Sequence, residues 1–235
     1  EAASTIFKRQ LEAHPEWVGV GTLWEPDAFD GKDADYVSAE GHDDTGRFMS
    51  YWAWSDGAPL QEALRDYEVP GAGDWYLRPR ELKRQVVAEP YVYKIAGKDV
   101  LMTTLSTPVL EDGKYVGVMT VDFALQSLQE RIARLTPMDA GFVRLLTPAG
   151  VVIADRDAAS LGKPYAGADV MKQIANGEPV FREAADASGE AMMEAYVPLQ
   201  IGAAQERFAL GVVVPRAVLM KEARAVLSVS YTHLR

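Results

Sequence analysis

Between Glu89 and Phe123 the chain carries three β-rich stretches, Glu89–Ile95, Val100–Leu110 and Tyr115–Phe123, joined only by Ala96-Gly97-Lys98 and Glu111-Asp112-Gly113. Parallel strands need a crossover of roughly a dozen residues, so links this short force antiparallel neighbours. Each link holds a glycine, which supplies the positive φ of a tight hairpin. The segment is therefore an antiparallel meander, and neither a helical bundle nor a parallel α/β sheet accommodates it.

The same reading extends in both directions. Trp17–Glu25, bounded by Pro15 and Pro26, and Gly46–Trp54, closed by Ser55-Asp56-Gly57, read as strands; Leu60–Tyr67 and Trp75–Leu82 read as short helices or loops around Pro70-Gly71-Ala72-Gly73. Glu1–Ala13 has one apolar stripe and reads as a helix, as does Phe123–Leu135, which Thr136-Pro137 ends. Beyond it the order recurs in smaller form: strands Phe142–Leu146 and Val151–Ala154, helix Asp169–Ala175, then strands near Val180, Met192–Val197 and Phe208–Val214. The expectation is an α+β chain of two modules, 1–135 and 136–228, the second ending in a helix from Arg216 to Ser228. Val229–Arg235 (VSYTHLR) resembles translated sequencing adapter and is expected to be a non-native tail.

Composition narrows the function. With 24 Lys and Arg against 34 Asp and Glu, a net charge of -10 repels a phosphate backbone, so nucleic acid is not an expected partner. Cysteine is absent and only three histidines exist, none at a shared metal-ligand spacing, so neither a thiolate site nor a metal centre is expected. The loop Asp30–Asp35 lacks the twelve-residue calcium spacing and has Lys32 inside it. No apolar run approaches the roughly 18 residues of a membrane helix. A G-x-S-x-G elbow, a P-loop and H-E-x-x-H are all missing, so an enzyme is not expected and no cofactor is implied; paired carboxylates leave a hydrolase as the alternative.

Aromatic residues point elsewhere. Residues 1–123 hold 16 Phe, Trp and Tyr and residues 124–235 hold 6, which favours the first module for an organic ligand. Tyr51, Trp52, Trp54, Trp75, Tyr76, Tyr91 and Tyr93 can offer ring faces to a cation. Period two puts Trp52 and Trp54 on one side of their strand and Tyr51 on the other, and only one side can face a pocket. Asp122 stands in the apolar strand VGVMTVDFAL, where a lone carboxylate is costly. It either caps the helix beginning near Ala124 or meets a ligand cation. Asp74 is a second anionic candidate or a turn residue. Arg78 and Arg80 either clamp a carboxylate or pair with Glu81.

The segments EPDAFDGKDADY, GRFMSYWAW, PGAGDWY, EPYVY and GKDVLMTTLSTPVLEDGKYVGVMTVDFAL resemble the extracytoplasmic double-Cache sensor domain of bacterial chemoreceptors, and GFVRLLTPAGVVIADRDAASLGKPY is similar to its membrane-proximal module. The resemblance implies a long N-terminal helix, two tandem PAS-like modules with the ligand in the membrane-distal one, a C-terminal helix entering the membrane, and a homodimer through the N-terminal helix. In that family the amino-acid site carries Arg-x-Trp-Tyr, a later Tyr and an Asp ending the last strand; Trp75-Tyr76, Tyr91 and Asp122 match. The Arg position is Gly73, which has no fork for an α-carboxylate. The chain therefore resembles the amine-sensing branch, implying a small amine or a quaternary ammonium such as choline or betaine. The alternatives are an amino-acid sensor with a substituted clamp and an ectodomain that senses through a protein partner.

Overall fold

A computed structural model describes residues 2–221. They form two compact units, residues 1–127 with 201–206, and residues 128–200 with those from 207 on. The expected helix beyond Lys221 and the tail Val229–Arg235 lie outside the described residues.

The first unit is a seven-stranded antiparallel sheet between two helices. Helix α1 (Ala2–Ala13) is followed by β1 (Gly19–Trp24), β2 (Met49–Ser55), β3 (Ala58–Glu62), helix α2 (Asp74–Leu82), β4 (Val86–Val87), β5 (Tyr91–Ile95), β6 (Lys98–Glu111) and β7 (Lys114–Ala124). The spatial order is β3-β2-β1-β7-β6-β4, with β5 also paired to β6. The meander falls where the short links place it. At Asp56-Gly57, Ala96-Gly97 and Asp112-Gly113 both turn residues have positive φ, as two-residue hairpins that follow the sheet twist require. The stretch from Leu60, read as helix or loop, instead contributes to β3, because the Asp56-Gly57 turn folds it back on β2. The described N-terminal helix is short: 12 residues, about 18 Å at 1.5 Å each.

Strand alternation divides the buried residues between the two faces of this sheet. Phe7 and Leu11 of α1 pack on Val20, with Trp17, Trp52, Trp54 and Val121 around them. On the opposite face Trp75 and Tyr76 of α2 join Leu23, Met49, Tyr51, Tyr93, Met102 and Val118 in the main core.

Helix α3 (Leu125–Ile132) contains the seam between the units. The second unit has β8 (Phe142–Leu146), β9 (Val152–Ala154), α4 (Ala168–Ala175), β10 (Val180–Ala185), β11 (Ala191–Gln200) and β12 (Arg207–Pro215), in the antiparallel order β10-β11-β12-β8-β9. Val170, Met171 and Ile174 cover Leu146, Val152, Val180 and Tyr196. Residues 216–221 are helical, and no described helix is long and apolar enough to cross a membrane.

Candidate ligand site

Two glycines of β1 make the site possible. A Cβ on Gly19 would lie 2.1 Å from the Tyr51 hydroxyl, and one on Gly21 would lie 2.9 Å from the Tyr51 Cα. Without them the Tyr51 ring lies across β1, and its Oη donates to Asp122 Oδ2 at 2.7 Å. Asp122 faces Gly19 from β7 and is itself paired with Thr104 on β6. Thr104 Oγ1 donates to Asp122 Oδ1 at 2.6 Å.

The carboxyl of Asp122 is buried, with 4% of the residue exposed, and among the described residues it has no ion-pair partner. Burial pushes its pKa up to about 6, although the Thr104 and Tyr51 hydroxyls pull the other way. At neutral pH it is therefore an anion without a counter-ion. Tyr91 Oη lies 2.7 Å from Thr104 Oγ1. A hydroxyl has one proton, and that of Thr104 is given to Asp122, so Tyr91 donates to Thr104. Burial first and the Asp122 charge second raise the Tyr51 and Tyr91 phenols well above their ordinary values, so both remain protonated.

Tyr93 edges against both rings, with centroids 6.2 Å from Tyr91 and 6.4 Å from Tyr51, while its hydroxyl accepts the Arg65 N–H at 2.9 Å. Trp75 shares this core, and its buried Nε1 has no hydrogen-bond partner among the described residues. Asp122, Tyr51, Thr104, Tyr91, Tyr93 and Trp75 thus belong to one face. The helix-cap reading of Asp122 does not hold, since both oxygens accept side-chain hydroxyls and the residue lies within β7.

Other candidates fall elsewhere. Trp52 and Trp54 are on the α1 face; Trp52 Nε1 donates to Ser4 Oγ at 3.0 Å, and Lys8 lies over its ring. Asp74 Oδ1 accepts the Gly71 N–H at 2.9 Å and closes the turn before α2. Tyr76 is on the core face but in a separate network: its hydroxyl accepts from Arg47 Nη2 at 2.8 Å and donates to Glu25, which Arg80 also pairs at 3.4 Å. Burial and Glu25 push the Tyr76 phenol up to about 12. Arg78 pairs with Glu206 rather than Glu81. Every guanidinium of α2, and Arg47 beside it, is thus already engaged by a carboxylate or phenol.

Sequence reasoning missed Thr104, one of several hydroxyls in the TTLST run, because its partner across β7 emerges only from the register. It also missed Arg47 and Glu25. The one available signal was Gly-Val-Gly in β1, an alternation that empties one face of a strand otherwise rich in β-formers.

Gly73 lies at the start of α2, and its backbone is pressed on the preceding loop: a Cβ there would be 2.4 Å from the Tyr67 carbonyl oxygen and 2.5 Å from that of Asp66. The position that the resemblance gives to Arg has no room for any side chain.

Comparison with known proteins agrees with this architecture. The chain is 37% identical over 175 residues to the methyl-accepting chemotaxis protein TlpQ of Pseudomonas aeruginosa, covering 68% of this chain and 24% of that protein. The extracellular domain of the candidate histidine kinase mmHK1S-Z3 superposes with a TM-score of 0.83 at 28% identity, over 95% of this chain and 82% of that one. The ligand-binding domain of the P. aeruginosa amino-acid chemoreceptor PctB, in complex with L-Arg, shares the fold with a TM-score of 0.58 at 17% identity, over 99% and 78% of the two chains. The chain spans a quarter or less of the length of the curated relatives it matches. Residues 3–130 match the methyl-accepting chemotaxis protein-like first PDC sensor domain, so the chain belongs to that family and is an extracytoplasmic sensor region.

Proposed function

We propose that the first unit senses a small protonated amine, held at Asp122. The observation that carries this reading is a buried carboxylate with no counter-ion among the described residues, toward which the hydroxyl protons of Tyr51 and Thr104, and that of Tyr91 through Thr104, all point. Because those protons are committed, the phenolic oxygens of Tyr51 and Tyr91 keep lone pairs free to accept. A primary ammonium has three N–H donors, and two phenols and a carboxylate are three acceptors. Ring faces of Trp75 and Tyr93 add cation–π attraction of about 0.5–2 kcal/mol each. A quaternary ammonium such as choline or betaine would use only the faces and leave the acceptors unpaired, so the geometry favours amines bearing N–H. An α-amino acid is less well served, since Gly73 has no fork and Arg47, Arg78 and Arg80 are engaged.

Titration calorimetry of the chain against a primary diamine, choline, glycine betaine and several α-amino acids tests this. Saturable diamine binding, lost in Asp122→Asn and weakened in Tyr51→Phe, is the expected result. Preference for choline would move recognition to the rings, and binding of α-amino acids alone would overturn the ligand class. On this reading the chain is a binding region rather than an enzyme, built of two tandem PAS-like modules in a membrane receptor. Ligand binding biases that receptor only through unequal affinity for its two signalling arrangements. Pairing of receptors through α1 is part of the same reading, and sedimentation of the chain over a concentration series checks it.

A further inference from the structure

The second unit contains a cavity of about 480 Å³ that the Asp122 site does not explain. Its floor is a lattice of buried charges. Arg144 on β8 ion-pairs with Asp155, donates from Nη1 to Glu194 at 3.0 Å, and donates to Tyr196 Oη at 2.8 Å. Arg182 on β10 donates from Nε to Glu194 Oε2 at 2.7 Å and from Nη2 to Tyr165 Oη at 2.6 Å. Tyr165 accepts from Arg182 and from Tyr196, and gives its own proton to Glu194. Gly211 makes the lattice possible, since a Cβ there would meet the Tyr196 ring at 2.3 Å, and Gly167 leaves room for the Arg182 guanidinium. Apolar surface from Phe142, Val152, Met192 and Val213 completes the wall.

One link in this lattice is loose. Arg182 Nη1 is held by Asp169 at 3.0 Å, and the Asp169 side chain is 63% exposed in the first turn of α4. An ion pair at such an exposed carboxylate contributes little and exchanges readily. Along the cavity three arginines face five carboxylates, a surplus of negative charge. A lone anion entering here would meet that surplus, and a lone cation would gain only the exposed carboxylates while Arg182 stayed on Asp169. A ligand with a carboxylate to replace Asp169 on Arg182, and an ammonium to meet the carboxylate surplus, leaves every buried charge compensated. We infer that the second unit holds its own binding site for a small zwitterion, with Arg182 receiving the ligand carboxylate and Asp169 acting as the built-in competitor for it.

The test separates this site from the first by using the chain with Asp122→Asn throughout. Glycine, β-alanine and γ-aminobutyrate supply zwitterions of increasing charge separation, with acetate and n-butylamine as single-ion controls, each followed by calorimetry. At least one zwitterion is expected to bind saturably, and at least tenfold more tightly than either control. Arg182→Gln should weaken it at least tenfold, while Asp169→Asn should tighten it at least threefold, an effect that loss of a merely structural contact would not produce. A thermal melt of each variant shows that it is folded. No saturable zwitterion binding, equal binding of acetate, or affinities unmoved by both variants would overturn the proposal. Loss of amine binding to the chain with native Asp122, by contrast, would bear only on the first site.

Discussion

Both sheets lay a tyrosine over a glycine so that its hydroxyl reaches an ion two strands away: Tyr51 crosses Gly19 to Asp122, and Tyr196 crosses Gly211 to Arg144. The ions are treated oppositely. Asp122 has hydroxyl donors and, among the described residues, no cation, so burial raises its pKa to about 6. Arg144 is wrapped by Asp155, Glu194 and two phenols, which hold its guanidinium firmly charged despite burial. The same backbone device therefore builds a carboxylate that gains from a cation in one unit and a self-compensated lattice in the other.

Equivalent neutralisations should accordingly have opposite signs. Glu194→Gln leaves Arg144 and Arg182 facing a neutral amide in the interior, and a loss of about 3–5 kcal/mol is expected in chemical denaturation. Asp122→Asn removes an uncompensated charge and should stabilise the ligand-free chain at neutral pH while abolishing amine binding. If both variants lose stability, the contrast fails.

Filling the glycines is the next largest effect. Gly19→Ala and Gly211→Ala each place a methyl within 2.3 Å of a tyrosine atom, and each should cost about 3 kcal/mol through overpacking and a displaced hydroxyl. Only Gly19→Ala should lower amine affinity, and equal loss from both would show that the two sites are not independent.

The pH dependence sharpens the difference further. The folded pKa of Asp122 lies above its unfolded value of 3.8, so its contribution favours folding fully below about pH 3.8 and is lost as pH rises through about 6. That contribution is about 3 kcal/mol by the usual conversion, and it is read as the difference between the native chain and Asp122→Asn across pH 3.5–7. Amine affinity should move the other way, strengthening about tenfold per unit up to pH 6 and then levelling. A flat difference curve would mean that Asp122 is not buried as an anion.

The smallest expected change lies outside both sites. Ala96 has φ 48° in a hairpin turn whose counterparts begin with Asp, so Ala96→Asn should stabilise the chain by about 0.5–1 kcal/mol without altering binding. Thermal melts and calorimetry together provide that control.

What was legible in the sequence follows from the range of each interaction. Turn glycines and alternation are local, so the meander from Tyr91 to Ala124 and the strands around Phe142 and Phe208 could be read directly. Short pairings were not legible, since Val86–Val87 and Ala58–Glu62 become strands only by lying beside β6 and β2. At the site, alternation separated Tyr51 from Trp52 and Trp54 but could not say which side faced α2. The donors to Asp122 come from residues 71 and 18 positions away in the chain, so only the register brings them together.

The closed backbone at Gly73 also bears on how such a sensor can change its ligand. With the carbonyls of Asp66 and Tyr67 pressed on its α-carbon, a mutation to Arg cannot be sampled with profit until that loop has first opened. Carboxylate recognition through this position is thus epistatic: it needs an enabling change near residues 66–72 before the one that supplies a guanidinium. On the proposed amine reading, single steps at Tyr91, Tyr93 or Trp75 retune the ligand, while the route through Gly73 stays shut.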